Sequence, residues 1–600
     1  MAVAYEGRAA NRRPKAGIRR VLLGRLFASR IYRTKLNTSF TMRQLSLISL
    51  VAQVLLASGN PICPPTGPIL PPPHLPRDYD LFNLTHTLDR FIQNAVEDGW
   101  NSTVNSFSVM ATSAEETFFS YHHTAPLKNQ SGVHHVDGDT VYAIASITKV
   151  FTVLAVWLED KMNLDDPIGR YVHEFNNSDW ADVTLRLLTS QIAAIPRNRY
   201  TFDNVLNALD LVDLGFPELQ PSDIPLCSLA PGLQMCSREE LFASFPEFGF
   251  TGAIGDRAAY SDLAYILLGY ALEDVTGLTY EQVLKKSILN PLGLSDTTAF
   301  RPDPGRMIIP SEGALWIDVD WAYYIMTAGL YSTPNDLSTF IRGIITNKLL
   351  PRAKTNEWLK PAAFTSQLDN SVGAPWEIFR PTTLLPNNTR PIDHYTKSGD
   401  VPGFSSSYLV LVPEYNLGVT ILGAGPDASS VVPLLLDTVQ AVLVPALDQL
   451  AREQAVEQYA GTYVSDSGNE TVSVLDLVVD DGTGLKVSRW RKGDLNMLKS
   501  LAVALFGGSL GTTSPADIRF YQTGVDDRWY VGFTEQDEKD IVGEDKQRGA
   551  LRGSACMDWY RVDQFHYGKR RLDEVTFRLT SDGAVEGLEV PALRQSFVKQ

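Results

Sequence analysis

Ser146 and Lys149 stand three residues apart in Ser146-Ile147-Thr148-Lys149, a spacing that puts both side chains on one face of a helix. A serine at a helix start sits where backbone N–H groups point outward. A lysine one turn away can take or stabilise the serine's proton if burial holds its pKa down. The chemistry of such a pair is acyl transfer through the serine oxygen. Tyr260, in Tyr260-Ser261-Asp262, immediately precedes a second apolar run. Its phenol can reach a serine on another helix, and a nearby ammonium would make the phenolate more accessible, so that Tyr260 serves as general base and acid. Lys397-Ser398-Gly399 reads as a strand on which a glycine lets another backbone approach closely. The N–H just beyond Gly399, paired with that of Ser146, can form an oxyanion hole.

These groups need elements to hold them. Residues 150–157 are apolar and carry the helix of Ser146. Leu263, Ile266, Leu267 and Tyr270 recur at helical spacing behind Tyr260. Residues 107–111, 117–121, 407–413 and 417–422 read as strands, with a short one at 141–143. Helices are expected at 336–345 and 431–449, and a disulfide-stapled polar insertion at 197–246. From Tyr459 onward short strands at 461–464, 471–475, 484–488 and 528–533 alternate with Asp, Gly and Ser turns. They form a separate antiparallel β domain of barrel type.

Six hundred residues exceed one compact core. Four units are expected: a leader and signal at 1–60, a proline-rich lead-in at 61–77, a catalytic domain at 78–450 and the β domain at 455–600. The net charge of −16 is uneven, because residues 1–60 hold eleven Lys and Arg against the single acid Glu6. The rest carries −26, an acidic body that repels phosphate backbones and argues against nucleic-acid binding.

Met42-Arg43-Gln44 and the apolar stretch 45–57, followed by Ala57, Ser58 and Gly59, read as a secretory signal starting at Met42. An Arg-rich mitochondrial presequence beginning at Met1 is the alternative. The stretch is too short for a comfortable membrane span, so no stable anchor is expected. Cys63, Cys227, Cys236 and Cys556 suggest two disulfides, with Cys227 and Cys236 near enough to staple a loop; three pairings are open. Acceptor sequons stand at Asn83, Asn101, Asn129, Asn176, Asn387 and Asn469. Secretion of a glycosylated chain is the reading that joins these features.

The motifs together resemble the serine β-lactamase and penicillin-binding-protein superfamily, in its branch of class C β-lactamases, D-alanyl-D-alanine carboxypeptidases and esterases. Further matching segments are Asn163-Leu164-Asp165-Asp166-Pro167-Ile168, residues 183–189, Gly277-Leu278-Thr279-Tyr280, residues 291–298 and residues 328–337. The resemblance covers about residues 80–445 and looks like a fungal-type secreted member. It implies an α+β fold, an antiparallel sheet flanked by helices plus an all-helical subdomain, followed by the C-terminal β domain. It implies Ser146 as nucleophile, Lys149 as its proton partner and Tyr260 as acid/base. It places Asp262, Lys397, Ser398, Gly399 and Asp400 around a small acyl substrate, with no metal or organic cofactor. Two positions depart from the pattern. Asp262 stands where relatives carry Asn, and an ionised Asp only accepts hydrogen bonds. Ser190-Gln191-Ile192-Ala193-Ala194 replaces a His-Thr-Ser-Gly segment.

The expected activity is secreted hydrolysis of small esters or amides. An acyltransferase using the same acyl-serine, and an inactive binding protein on the same scaffold, are the rivals. Two other features invite readings. His122-His123 and His134-His135 suggest a metal, but alternate along a strand and lack a third ligand, so polar hairpin residues are expected. Trp316, Trp321, Tyr323, Tyr324 and Trp376 could line an acyl pocket, and are expected as core. The sequence does not set the oligomeric state.

Overall fold

The computed structural model describes residues 67–75, 79–97, 102–198, 208–223, 225, 227, 235–311, 319–385, 390–466, 471–511, 513–525, 527–534 and 562–600. The leader, the signal, Cys63 and Cys556, Trp316, and the sequons at Asn101, Asn387 and Asn469 lie outside the described residues.

The first sheet has eight antiparallel strands in the order 117–123, 106–112, 417–424, 405–412, 394–401, 377–379, 370–372 and 363–364. Its central strands are buried on both faces. Leu409 and Leu411 enter one core while Val410 and Val412 enter the other, the period of two made visible. Helices Tyr79–Glu97 and Ala428–Tyr459 pack on the Val410 side. Helices Thr148–Leu158, Leu263–Thr276 and Pro334–Ile345 pack on the Leu409 side. Thr148 to Val156 are all buried, so this helix is a core element enclosed on every side. Ala428–Tyr459 is long and apolar enough to cross a membrane, but its buried residues Val432, Leu435, Val439 and Leu443 pack on the sheet.

Local signals explain several of the matching segments. Gly277 ends helix Leu263–Thr276 in the left-handed region at φ 68°, and Thr279 with Gln282 forms a capping box for Tyr280–Leu284. Thr333 caps Pro334–Ile345, and Asp336 in its first turn accepts from Thr297 Oγ1 at 2.8 Å and Asp296 N at 2.9 Å. Two distant segments are thereby locked together.

Three expectations change. The strand at 141–143 shrinks to Tyr142–Ala143, paired with Tyr331–Ser332 outside the main sheet. Ser146 sits in a 3₁₀ turn, Ala145–Ile147, and the α-helix begins at Thr148. The helix expected at 431–449 runs from Ala428 to Tyr459, through Pro433 and Pro445. Cys227 and Cys236 are disulfide-bonded within the insertion.

The second sheet closes on itself. Strands 461–465, 595–599, 585–590, 574–579, 528–534, 517–525, 485–492 and 473–478 form a ring of eight, because 473–478 also pairs with 461–465. Closure removes the sheet edges. Tyr463, Leu475, Ile518, Phe520, Leu588 and Phe597 fill its interior at 0% exposure. Ile69 and Leu70 of the lead-in join this core, and Gln522 Nε2 donates to Leu70 O at 2.7 Å. The helix end ties the barrel to the first sheet: Arg452 bonds Asp448 at 2.7 Å and donates to Asp480 O at 2.7 Å.

Candidate active site

Ser146 is presented by a constrained turn. Ala145 adopts φ 44°, a conformation an alanine holds only when its surroundings impose it. Ile144 N donates to Leu330 O at 3.0 Å, and Ile147 N to Ile144 O at 3.1 Å. The turn therefore fixes Ser146 at the head of a fully packed helix.

Lys149, in that helix, has a side chain at 0% exposure. Its three N–H donors are matched: Ser146 Oγ at 2.8 Å, Asp262 Oδ1 at 2.6 Å and Thr327 O at 3.1 Å. Burial pulls the ammonium below the ordinary lysine range, and Asp262 pushes in the opposite direction.

Tyr260 donates to Ser146 Oγ at 2.7 Å. Its loop is templated by the segment that departs from the family pattern. Gln191, at φ 63°, accepts from Ala259 N at 2.8 Å through its carbonyl and from Ser261 N at 2.7 Å through Oε1. Ser261 Oγ donates to Pro196 O at 2.8 Å, and Asp262 N to Arg197 O at 3.0 Å. The accessible phenolate expected from sequence is corrected: burial pushes the Tyr260 phenol up to about 12. Lys397 pulls downward, but Asp262 and Glu377 oppose it, and the group is a neutral hydroxyl at rest.

The strand His394–Val401 brings Lys397, Ser398 and Gly399 alongside. A Cβ on Gly399 would lie 2.4 Å from Ile144 O and 2.9 Å from Ser146 N, so only glycine permits this approach. Lys397, at 1% side-chain exposure, forms an ion pair with Glu377 and lies 5.3 Å from the centre of the Tyr260 ring. Ser398 donates to the same carboxylate through N and through Oγ, each at 2.9 Å. Asp400 is exposed and accepts from Ser429 Oγ at 2.5 Å, so its side chain is engaged by the long helix and only its backbone faces the strand pairing. Asp262 is Lys149's counter-ion, also taking Thr327 Oγ1 at 3.1 Å.

Sequence reasoning missed Glu377, Thr327, Gln191 and Arg197, whose guanidinium lies 4.8 Å from the Tyr260 ring centre and 4.0 Å from Asp262 Oδ2. Glu377 lies in a three-residue strand that carries no periodic signal; its register opposite Thr396 places it. The aromatic residues are core: Trp321, Tyr323, Tyr324 and Trp376 are 0–7% exposed. His122 Nδ1 pairs with Ser108 Oγ at 2.9 Å and His123 Nε2 with Ser102 O at 2.7 Å. Among the described residues no three His, Cys, Asp or Glu side chains gather as a metal site.

The chain matches the β-lactamase family over residues 88–435 and a β-lactamase-like C-terminal domain family over residues 451–600. It is 30% identical to a β-lactamase-like protein of Arthroderma benhamiae, over 92% of this chain and 98% of that one. A probable hydrolase, M10, of a Phoma species is 28% identical over 80% of this chain and 82% of its own length. The D-alanyl-D-alanine-carboxypeptidase/endopeptidase AmpH of Escherichia coli is 26% identical over 51% of this chain and 76% of its own. The chain belongs to the β-lactamase family of serine hydrolases.

Proposed function

We propose that this protein is a secreted serine hydrolase that cleaves esters or amides of small molecules through an acyl enzyme on Ser146. The observation that carries the reading is the meeting of Lys149 Nζ and Tyr260 OH on one atom, Ser146 Oγ, at 2.8 and 2.7 Å.

In this reading the reactive form is the deprotonated Lys149 amine, made accessible by the lowering of its pKa through burial. Its lone pair then faces Ser146 Oγ in place of the third N–H and takes the Ser146 proton as Oγ bonds to the acyl carbon. The ammonium that forms is received by Asp262 and Thr327 O. The N–H groups of Ser146 and Asp400 receive the oxyanion across the gap that Gly399 leaves open. When the carbonyl re-forms, the Tyr260 phenol gives its proton to the departing oxygen or nitrogen. Lys149 then returns its proton to the phenolate, restoring both neutral groups. Water attacks the acyl enzyme by the same steps in reverse.

Secretion is supported by the basic and apolar signal pattern at 42–59, by the Cys227–Cys236 disulfide and by the sequons; Asn176 is exposed. An intact charged and hydrogen-bonded set speaks against an inactive scaffold.

The test is a panel of p-nitrophenyl esters, nitrocefin and D-Ala-D-Ala peptides, read by turnover and by intact-protein mass. An acyl adduct that disappears in Ser146→Ala is expected. Absence of turnover and of any adduct across the panel would overturn the proposal. Sequencing the N-terminus of protein from the medium tests secretion, with a start just after residue 59 expected.

A further inference from the structure

The ion pair between Glu377 and Lys397 bears on which acyl groups the site accepts, an inference that rests on the function proposed above. Lys397 and Ser398 are the groups a substrate acid would meet on this strand, and both already serve Glu377. The carboxylate takes Lys397 Nζ and Ser398 Oγ on Oε1, and Ser398 N on Oε2. The Lys397 side chain is 1% exposed and that of Glu377 is 25% exposed. An incoming carboxylate would have to displace Glu377 and leave a partly buried anion without its counter-ion, which is strongly unfavourable. It would also meet a like charge within hydrogen-bonding distance of the same donors.

What remains on offer is an acceptor. A carboxylate has about four lone-pair positions, and the contacts above use three, so Oε2 keeps accepting capacity on a side chain that is 25% exposed. Arg197, the exposed cation nearby, has Asp262 as its ion partner at 4.0 Å. The Lys397 charge is thus already matched by Glu377, and the carboxylate keeps capacity to accept a further hydrogen bond.

We propose that Glu377 is a specificity-determining residue: it closes the Lys397–Ser398 site to substrate carboxylates and selects uncharged acyl groups that present an N–H or O–H donor. The device is a side chain already occupying the place of a substrate acid.

The experiment compares p-nitrophenyl butyrate with p-nitrophenyl hydrogen succinate, close in shape but differing in a terminal carboxylate. The wild-type protein is expected to favour the butyrate by tenfold or more in kcat/KM, and p-nitrophenyl 4-hydroxybutyrate to equal or exceed it. Glu377→Gln leaves the Lys397 charge unmatched and is expected to shift the butyrate-to-succinate ratio at least tenfold toward the succinate. Glu377→Ala is the second variant, and thermal unfolding checks that each is folded. Inhibition of the wild-type protein by free succinate, expected to be absent at concentrations where it inhibits Glu377→Gln, is an independent reading. Equal wild-type handling of the two esters, or an unchanged ratio in folded variants, overturns the inference. A parallel fall for all esters assigns Glu377 a structural role and also overturns it. Failure of every ester to turn over or acylate Ser146 instead falls on the proposed function, and on this inference with it.

Discussion

Asp262 Oδ1 lies 2.6 Å from Lys149 Nζ, an ion pair whose side chains are 9% and 0% exposed. The carboxylate holds a buried ammonium in place and sets how readily it deprotonates. Asp262→Asn removes the charge and keeps the shape. Lys149 already titrates below its ordinary value, and loss of Asp262 lowers it further. The rising limb of kcat/KM against pH should therefore move to lower pH. The linkage has a definite sign. A lysine depressed in the folded state binds fewer protons there than when unfolded, so its penalty is absent above the unfolded lysine value, grows as pH falls from that value toward the folded one, and stays in full below it. The variant should lose more stability at acid than at alkaline pH, checked by urea unfolding across the range.

Tyr260→Phe separates acid from base. With the phenol up near 12, its proton is needed by a poor leaving group and hardly at all by p-nitrophenolate. An alkyl ester should lose about 10²–10⁴-fold in kcat/KM, and a p-nitrophenyl ester about tenfold or less. Equal losses would reassign the phenol to proton removal from Ser146.

Gly399→Ala drives a methyl group to 2.4 Å from Ile144 O and 2.9 Å from Ser146 N. Ile144 O is already fixed by Ser407 Oγ at 2.9 Å, so the strand must retreat. We expect kcat to fall about 10²–10³-fold, the loss typical of a displaced oxyanion donor, with a smaller change in KM. Steady-state kinetics on a protein shown by its melting curve to be folded checks this.

Arg390 tests the framework away from the site. It donates to Glu414 Oε2 at 2.8 Å and lies 3.5 Å from Asp448, with side chains at 5, 9 and 11% exposure. Arg390→Leu strips the buried Glu414 of its cation, while Asp448 keeps Arg452 at 2.7 Å, and should cost about 3–5 kcal/mol in denaturant unfolding. Adding Glu414→Leu should restore part of it, since an unpaired charge is worse than an apolar pair.

Much of the site was legible. Ser146 and Lys149 are neighbours along one stretch, and the glycine on the Lys397 strand is a local requirement for close approach. The strands expected at 107–111, 117–121, 407–413 and 417–422 appear at 106–112, 117–123, 405–412 and 417–424, and the helix expected at 336–345 as Pro334–Ile345. These are short-range properties, written in residues a few positions apart.

The partners were not legible. Asp262 meets Lys149 across 113 positions, and Glu377 meets Lys397 across 20 through the register of two short strands. The barrel likewise closes only when 461–465 lies between 473–478 and 595–599. The phenol shows the difference most sharply. From sequence, a lysine nearby argues for easier ionisation of Tyr260. In the fold, burial and two carboxylates outweigh that lysine and keep the proton on. Sequence by itself determined which reactive groups exist and which elements carry them, because those follow from local geometry. Tertiary structure decided their charges and partners, because burial and distance between remote segments exist only once the chain has folded.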